Sequence, residues 1–164
     1  MKDGVNTKRQ MLSVMRASSA YGALAKSAEI SAKHPAFSRL PFGVWCGVLI
    51  GQANRGEVAF ARAGSKVVGM AGWCRIDPKD GERWLRDGRE TPHNPKGTGA
   101  IINIVQADDA EVLKYMIGQL PDYMPGVKTL YGRRFYGDGR IRPFRMSAAR
   151  LVDLSPATLG ALLP

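Results

Sequence analysis

Cysteine is scarce in this sequence, and the two cysteines form no paired motif. Cys46 and Cys74 lie far apart, and no C-x-x-C pair is present. That pattern supplies neither the ligand set of a zinc site nor a disulfide framework, so we expect no metal site and two buried free thiols. The alternative is that Cys46 serves as a nucleophile beside His34, although no neighbouring residue marks an activated thiolate.

Long apolar runs are also missing. The longest is FGVWCGVLIG at 42–51, about half of the roughly 20 residues that span a bilayer. The N-terminal MKDGVNTKRQ has charges but no apolar segment of a signal peptide behind them. We therefore expect a cytoplasmic protein without a membrane span. Its length suits a single domain over 1–164, with 1–10 flexible and 151–164 as a C-terminal extension.

Acidic residues are few. The chain has 14 Asp and Glu against 24 Lys and Arg, a net charge of +10, which predicts an acidic partner such as nucleic acid, anionic lipid or an acidic protein. A single aspartate, Asp138, lies in the segment 131–150, where the basic residues are the arginines at positions 133, 134, 140, 142, 145 and 150. Aromatic residues interleave with them as in single-strand nucleic-acid sites, but no RNA-binding signature accompanies them. A solvated basic face is the remaining interpretation.

The order of hydrophobic patterns predicts a layered α/β domain with a mixed central sheet flanked by helices. We expect helices at 8–32, 108–120 and 155–163, a short helix or turn at 78–88, a hairpin over 56–76 that turns at Ala63-Gly64-Ser65, and strands at 99–107, 126–135 and 141–153. The stretch 41–54 fits a short buried helix better than a strand, although its pattern is ambiguous. Because ligands in such folds bind where strands end, the junction after Ile101–Val105 is the expected site.

His34 is the first candidate for chemistry. It lies in SAKHPAF, residues 31–37, where Pro35 predicts the end of the helix. A free histidine has a pKa near 6.5, which suits it to accept a proton from an amine. The alternative is a polar residue at a helix end. The second histidine, His93, lies in ETPHNP and is predicted to be a solvated loop residue.

A family resemblance rests on the order of these features. Ser31 and His34 precede an aromatic-apolar helix. After it come the helix end and hairpin IGQANRGEVAFARAGSKVVGMAGW, the strand IINIV and the segment LKYMIGQLPD. This progression, from about Met15 to Arg145, resembles the toxin-activating lysine acyltransferases, which attach fatty acyl groups to internal lysines of RTX protoxins. The family has no short diagnostic signature, so pattern and spacing support the resemblance.

The resemblance implies a fold like that of the Gcn5-related N-acetyltransferases (GNAT). It also implies an acyl group delivered by acyl carrier protein, no bound cofactor, and a lysine of a partner protein as acceptor. His34 matches the family's catalytic histidine and Ser31 its nearby serine. Acyl carrier protein is acidic, so the basic surface would steer its docking. The family pattern leaves a homodimer open, and nucleic acid is not the partner we expect.

Asn103 departs from the family pattern, because it stands where the family has a catalytic aspartate. An asparagine can orient a histidine through its amide oxygen but carries no charge. In serine proteases the corresponding Asp-to-Asn change costs about 10⁴ in kcat. Asp108 or Asp109 could replace the aspartate, although helix-start charges are the plainer interpretation. We therefore expect a lysine N-acyltransferase, with a catalytically degenerate binding or assembly module as the alternative.

Three further residues are candidates for substrate binding. Trp73 closes the hairpin and could contact an acyl chain, although core packing explains it equally well. Arg133 and Arg134 begin the basic segment and could contact an acidic donor protein. The solvated-face interpretation applies to both arginines.

Overall fold

Six strands form one mixed sheet, and helices lie on both of its faces. The computed structural model describes residues 11–38, 40–89, 91–135 and 138–151. In chain order the elements are β1 (Leu12–Met15), α1 (Ala20–Ala32), α2 (Pro35–Ser38), α3 (Phe42–Arg55), β2 (Val58–Ala63), β3 (Lys66–Ile76), α4 (Pro78–Asp87), β4 (Gly99–Ala107), α5 (Ala110–Tyr123), β5 (Thr129–Phe135), β6 (Ile141–Ser147) and a 3₁₀ turn (Ala148–Leu151).

The strands lie in the sheet in the order in which they follow along the chain. Every neighbouring pair is antiparallel except β4 and β5, which run parallel. Parallel neighbours need a crossover connection, and α5 supplies it. The predicted mixed sheet flanked by helices is therefore confirmed.

The two faces of the sheet have separate cores. On one face, the apolar residues of α5 pack with Ala71, Trp73 and Leu130. On the other, Leu49 and Ala53 of α3 pack with Phe60 and further residues of α1 and the strands. A smaller cluster beside α4 completes this second face and contains Ile76, Ile101 and Tyr131. Neighbouring residues of β3, such as Met70 and Ala71, thus point to opposite cores, as the pleat of a strand requires.

Several predicted elements are confirmed. The hairpin turns at Gly64, whose φ of 60° favours glycine. The strand at 99–107 is present over that range as β4. The helix that follows it begins after Asp109, whose side chain accepts a hydrogen bond from the N–H of Val112. The break before Pro35 is present, because α1 ends at Ala32.

Three predictions need correction. The first part of the helix predicted at 8–32 is instead the strand β1, since Leu12 and Val14 pack against the core while β1 pairs with β2 at the sheet edge. The buried helix expected at 41–54 is present as α3 but only one side of it is buried, since Leu49 is 1% exposed whereas Phe42 and Val44 are 71% and 62% exposed. The last strand ends at Ser147 rather than 153. The flexible start and the helix predicted at 155–163 lie outside the described residues.

No helix in the described part of the chain combines the length and the apolar character that a membrane crossing needs.

Gly97 provides a test of the packing between the loop before β4 and the end of β3. A methyl group on Gly97 would overlap the carbonyl oxygen of Ile76, a backbone atom that cannot rotate away. We expect Gly97→Ala to lower the free energy of unfolding by about 2 kcal/mol or more. Urea denaturation measures the change.

The control is Gly118→Ala in α5, where a methyl group meets no atom within 4 Å. This variant should be more stable than the wild type by about 0.5–1 kcal/mol, because alanine favours a helix over glycine. Equal stability of the two variants would contradict the packing described for Gly97.

Candidate functional site

The parallel strands β4 and β5 separate at Asn103. Their pairing runs from Gly99 opposite Thr129 to Ile102 opposite Gly132 and then stops, although both strands continue. On the other side of β4, Gly72 faces Ile104 and the next residue of β3, Trp73, faces Ile102. Asn103 is therefore the extra residue of a β-bulge at the fork. Bulges re-aim side chains and occur often beside active sites.

An apolar cavity of about 240 Å³ lies at this fork. Asn103 and Arg133 are among its lining residues, and the others are apolar or aromatic: Phe37, Leu40, Val44, Trp45, Val48, Trp84, Ile102 and Ile104. The cavity is thus suited to an apolar chain whose polar end stays near Asn103.

A larger groove of about 910 Å³ runs between α3 and the loop after α4. Cys74, Ile101 and Asn103 contribute to it from the sheet, and Arg55 and His93 contribute charged or titratable groups. Asn103 lines both the groove and the apolar cavity. Val44, Val48 and Trp84 also line both, so the two spaces are adjacent, and Asn103 is the amide side chain that they share.

Glycines give α3 a smooth side toward the groove. Gly43, Gly47 and Gly51 recur at every fourth position and all line it. A methyl group on Gly43 or Gly47 would meet no atom within 4 Å, so the space beside them is open. At Gly51 the guanidinium of Arg55 occupies that space, 2.8 Å from where a Cβ would lie. Bulky side chains at the first two positions would narrow the groove.

The end of α3 places a buried carboxylate beside the groove. Gly56 adopts the left-handed conformation, with φ 66°. Its N–H donates to the carbonyl of Ala53, and the N–H of Glu57 donates to the carbonyl of Gln52. This Schellman arrangement reverses the chain directly after the helix. Glu57 is consequently 7% exposed, at the entrance to β2.

Three donors hold the Glu57 carboxylate. Arg55 Nε lies 2.6 Å from Oε2, the backbone N–H of Arg75 lies 3.2 Å from Oε1, and His93 Nε2 lies 2.9 Å from Oε1. Buried carboxylates need such partners to offset the loss of water. Glu57 therefore connects α3, β3 and the loop before β4.

His93 lies in a loop and is an exposed residue, as predicted, but its ring also has a fixed partner that the sequence did not show. Its side chain is 28% exposed and paired with Glu57. The next residue, Asn94, fixes the loop: its N–H donates to the carbonyl of Arg75 and its Nδ2 to Asp77 Oδ1, each at 2.9 Å. Glu57 and His93 are 36 positions apart, so no local spacing could have shown the pair.

The structure places Ser31 and His34 outside this groove. Ser31 is fully buried, with Oγ 3.8 Å from the sulfur of Met70. The His34 ring packs on Phe37 with 5.2 Å between the ring centroids. Neither residue is among the described lining of the groove or of the apolar cavity, although Phe37 lines the cavity together with Asn103. Of the three predicted catalytic residues, Asn103 alone lies in the groove lining.

The predicted substrate-binding residues lie in different surroundings. Trp73 is 2% exposed and packs in the core on the α5 face. The Arg133 guanidinium stacks 4.8 Å from the centre of the Trp84 ring and donates to the carbonyl of Trp84 at 2.7 Å, so it caps the end of α4 while lining the apolar cavity. Arg134 is half-buried on β5, opposite Arg142 of β6.

Some of the basic segment is neutralised locally. Arg145 pairs with Glu82 at 2.8 Å, and Arg140 pairs with Asp138 at 2.6 Å. Both pairs are exposed and contribute little to stability. They reduce the positive charge that this segment presents to a partner.

Within the described ranges, no group of three His, Cys, Asp or Glu side chains is arranged to hold a metal ion.

Cys74 lies in the groove lining, and its thiol is not activated. Burial raises the pKa of the Cys74 thiol above its ordinary value, and the negative charge of Glu57 raises it further, against a smaller opposing effect of Arg55. The thiolate is the reactive form. Both cysteines are free and half-buried, so Cys74 contributes to the groove as an apolar group at neutral pH.

Alkylation by iodoacetamide tests this assignment in the variant Cys46→Ser, whose remaining thiol is Cys74. We expect the pH midpoint of alkylation to be higher for the folded protein than for the same protein in urea, because only folding buries the thiol. Accessibility alone changes the rate without moving the midpoint. Identical midpoints in both states would contradict the raised pKa.

Comparison with known proteins gives no match by sequence: no family model and no curated protein matches the chain. Solved structures do match its fold, among them the two that follow. The loading GNAT-like domain of CurA from Lyngbya majuscula superposes with a TM-score of 0.53 at 13% identity, covering 76% of this chain and 65% of that domain. The GphF GNAT-like decarboxylase in complex with isobutyryl-CoA superposes with a TM-score of 0.52 at 15% identity, covering 76% of this chain and 67% of that protein. The chain spans about two thirds of each. It therefore has a GNAT-like fold.

Proposed function

We propose that this protein is an acyltransferase that moves an acyl group from a thioester to an amine in the groove beside Asn103. The observation behind this proposal is the fork between β4 and β5, where the bulge at Asn103 lines both an apolar cavity and a larger groove that also contains Arg55 and His93. An acyl chain fits the first space and an amine fits the second. The reacting carbonyl would lie between them.

The fork also offers a place for the arm of the thioester. Beyond Ile102, β4 has no hydrogen-bonded partner in β5. An extended, amide-containing arm can pair with such a strand edge as an added strand would. The similar GphF structure was solved with isobutyryl-CoA, a thioester. That complex supports a thioester ligand for this fold.

The donor that we propose is an acyl group on acyl carrier protein, and the acceptor is a lysine of a partner protein. The resemblance of the sequence to toxin-activating lysine acyltransferases supports both. The net charge of +10 suits an acidic carrier. The sequence also lacks a Gly-rich pyrophosphate loop of the usual coenzyme A kind.

Asn103 is well placed to orient a reacting group. It lies in the lining of both spaces, and its amide can donate and accept hydrogen bonds. It carries no charge, so it cannot stabilise a positive charge that develops during proton transfer. This observation favours a second candidate function, a non-catalytic binding or assembly module of the same fold.

Acyl transfer is the direct test. The protein is incubated with a carrier protein loaded with fatty acyl groups of several lengths and with a lysine-bearing peptide library, and mass spectrometry detects the amide. We expect transfer that requires the folded protein and that saturates with carrier. Transfer no faster than in carrier and peptide alone would remove the enzymatic proposal and leave the binding module.

Asn103→Asp separates the two candidate functions. If the site is a weakened enzyme, restoring a charge at the fork should raise kcat, by up to about 10⁴ on the precedent of catalytic carboxylates. Asn103→Leu is the matched control, because it preserves size without polar atoms and should lower kcat. Identical rates in all three proteins would contradict a role for position 103.

Gly47→Ala should change stability and activity in opposite directions. Its methyl group meets no protein atom, so the α3 helix should gain about 0.5–1 kcal/mol, yet the group enters the groove and should raise KM. Gly118→Ala in α5 is the matched control, with a similar gain in stability and unchanged kinetics. Urea denaturation and steady-state transfer assays measure the two effects. A Gly47→Ala variant with wild-type KM would show that the acceptor does not approach α3.

A further inference from the structure

We propose that His93, positioned by Glu57, accepts the proton of the substrate amine in the groove. This inference rests on the proposed acyl transfer and names the residue that prepares the nucleophile. It assigns the base to the loop before β4, whereas the catalytic histidine predicted from the sequence, His34, follows α1.

The hydrogen bond between the two residues selects the tautomer of His93. The Glu57 carboxylate accepts from the guanidinium of Arg55 and from the backbone N–H of Arg75, so its oxygens act as acceptors toward His93 as well. Nε2 of His93, 2.9 Å from Glu57 Oε1, must therefore carry the hydrogen. The lone pair of the neutral ring is then on Nδ1. Nδ1 has no hydrogen-bond partner in the described part of the chain, so it is available to a substrate.

The position of His93 is fixed on two sides, as a base requires. Glu57 holds the ring, and Asn94 clamps the backbone to Arg75 and Asp77. The ring lines the groove that Asn103 also lines. An amine that enters the groove can therefore meet a lone pair of fixed direction, and the fork holds the acyl group.

Several charged or titratable groups surround this position. On the side of the groove they are Arg55 at the end of α3 and Cys74 on β3. His93 also lines a shallow depression on its other side, together with Glu57, Arg75, Arg16 and Tyr123. Glu57 supplies the negative charge, and Arg55 is paired with it. Cys74 remains a neutral thiol at neutral pH, because burial raises its pKa.

The chemical step balances without a cofactor. The substrate ammonium gives one proton to Nδ1 of His93, and its nitrogen then attacks the thioester carbonyl to form the C–N bond. As the tetrahedral intermediate collapses, the C–S bond breaks, the sulfur leaves with the electron pair and takes the second nitrogen proton. The products are an amide and a thiol. His93 returns its proton to solvent.

The kinetic test compares His93→Gln with wild type and with His34→Gln. Glutamine keeps an N–H that can donate to Glu57 but has no basic nitrogen. We expect His93→Gln to lower kcat by about 10²–10⁴ with KM nearly unchanged. Its rate should then rise about tenfold per pH unit with the free amine, because the lysine has a pKa about 10.4. Added imidazole should restore part of the rate.

The three outcomes are distinguishable. If wild type transfers no acyl group, the proposed function and this inference both fail. If wild type transfers and His93→Gln matches it in rate and pH profile while His34→Gln is inactive, the inference alone fails and the base is His34. Loss of activity in His93→Gln with unchanged urea stability and with imidazole rescue supports the inference.

A spectroscopic measurement tests the geometry without activity. The chain has two histidines, so His34→Gln leaves a single imidazole, that of His93, in a ¹⁵N spectrum. The expected neutral form carries hydrogen on Nε2 and a bare Nδ1. The opposite tautomer would overturn the proposal.

Discussion

The separation of β4 from β5 is the constraint on which the candidate site depends. Two parallel strands that share only four paired positions leave the rest of each strand without its neighbour. The bulge at Asn103 shifts the register against β3 at the same point, which turns the side chain toward the open space. α3 covers this face without filling it, because glycines line its inner side. An apolar cavity and a groove of mixed lining are therefore adjacent, and Asn103 lines both.

Glu57 holds together the elements around that space. Its position follows from the glycine that ends α3, and its carboxylate accepts from Arg55, Arg75 and His93. A buried carboxylate with fixed partners resists movement more than an exposed ion pair does. The groove thereby gains a rigid polar wall, whereas the apolar cavity depends on α2, α3 and β4. The same fold can thus combine tight orientation of polar groups with a separate apolar space.

Much of the architecture could be predicted from local patterns. The hairpin at Gly64, the strand β4 and the helix that begins after Asp109 follow from turn residues, branched apolar residues and helix-start signals. The strand β1 could not, because a short segment with Leu12, Val14 and Met15 fits a helix or a strand until the edge of β2 is available to it. Of the candidate site residues, Asn103 was found through a family pattern. The pairing of His93 with Glu57 was missed, because the two residues are remote in sequence.

The sequence by itself determined the mixed α/β architecture, the excess of positive charge and the break in the chain before Pro35, because each depends on composition or on neighbouring residues. Only the tertiary structure decided which polar residues share a site. The pairing of Glu57 with His93, the bulge at Asn103 and the burial of Ser31 all arise where distant segments pack together, and contacts of that kind have no periodicity or spacing in the chain to reveal them.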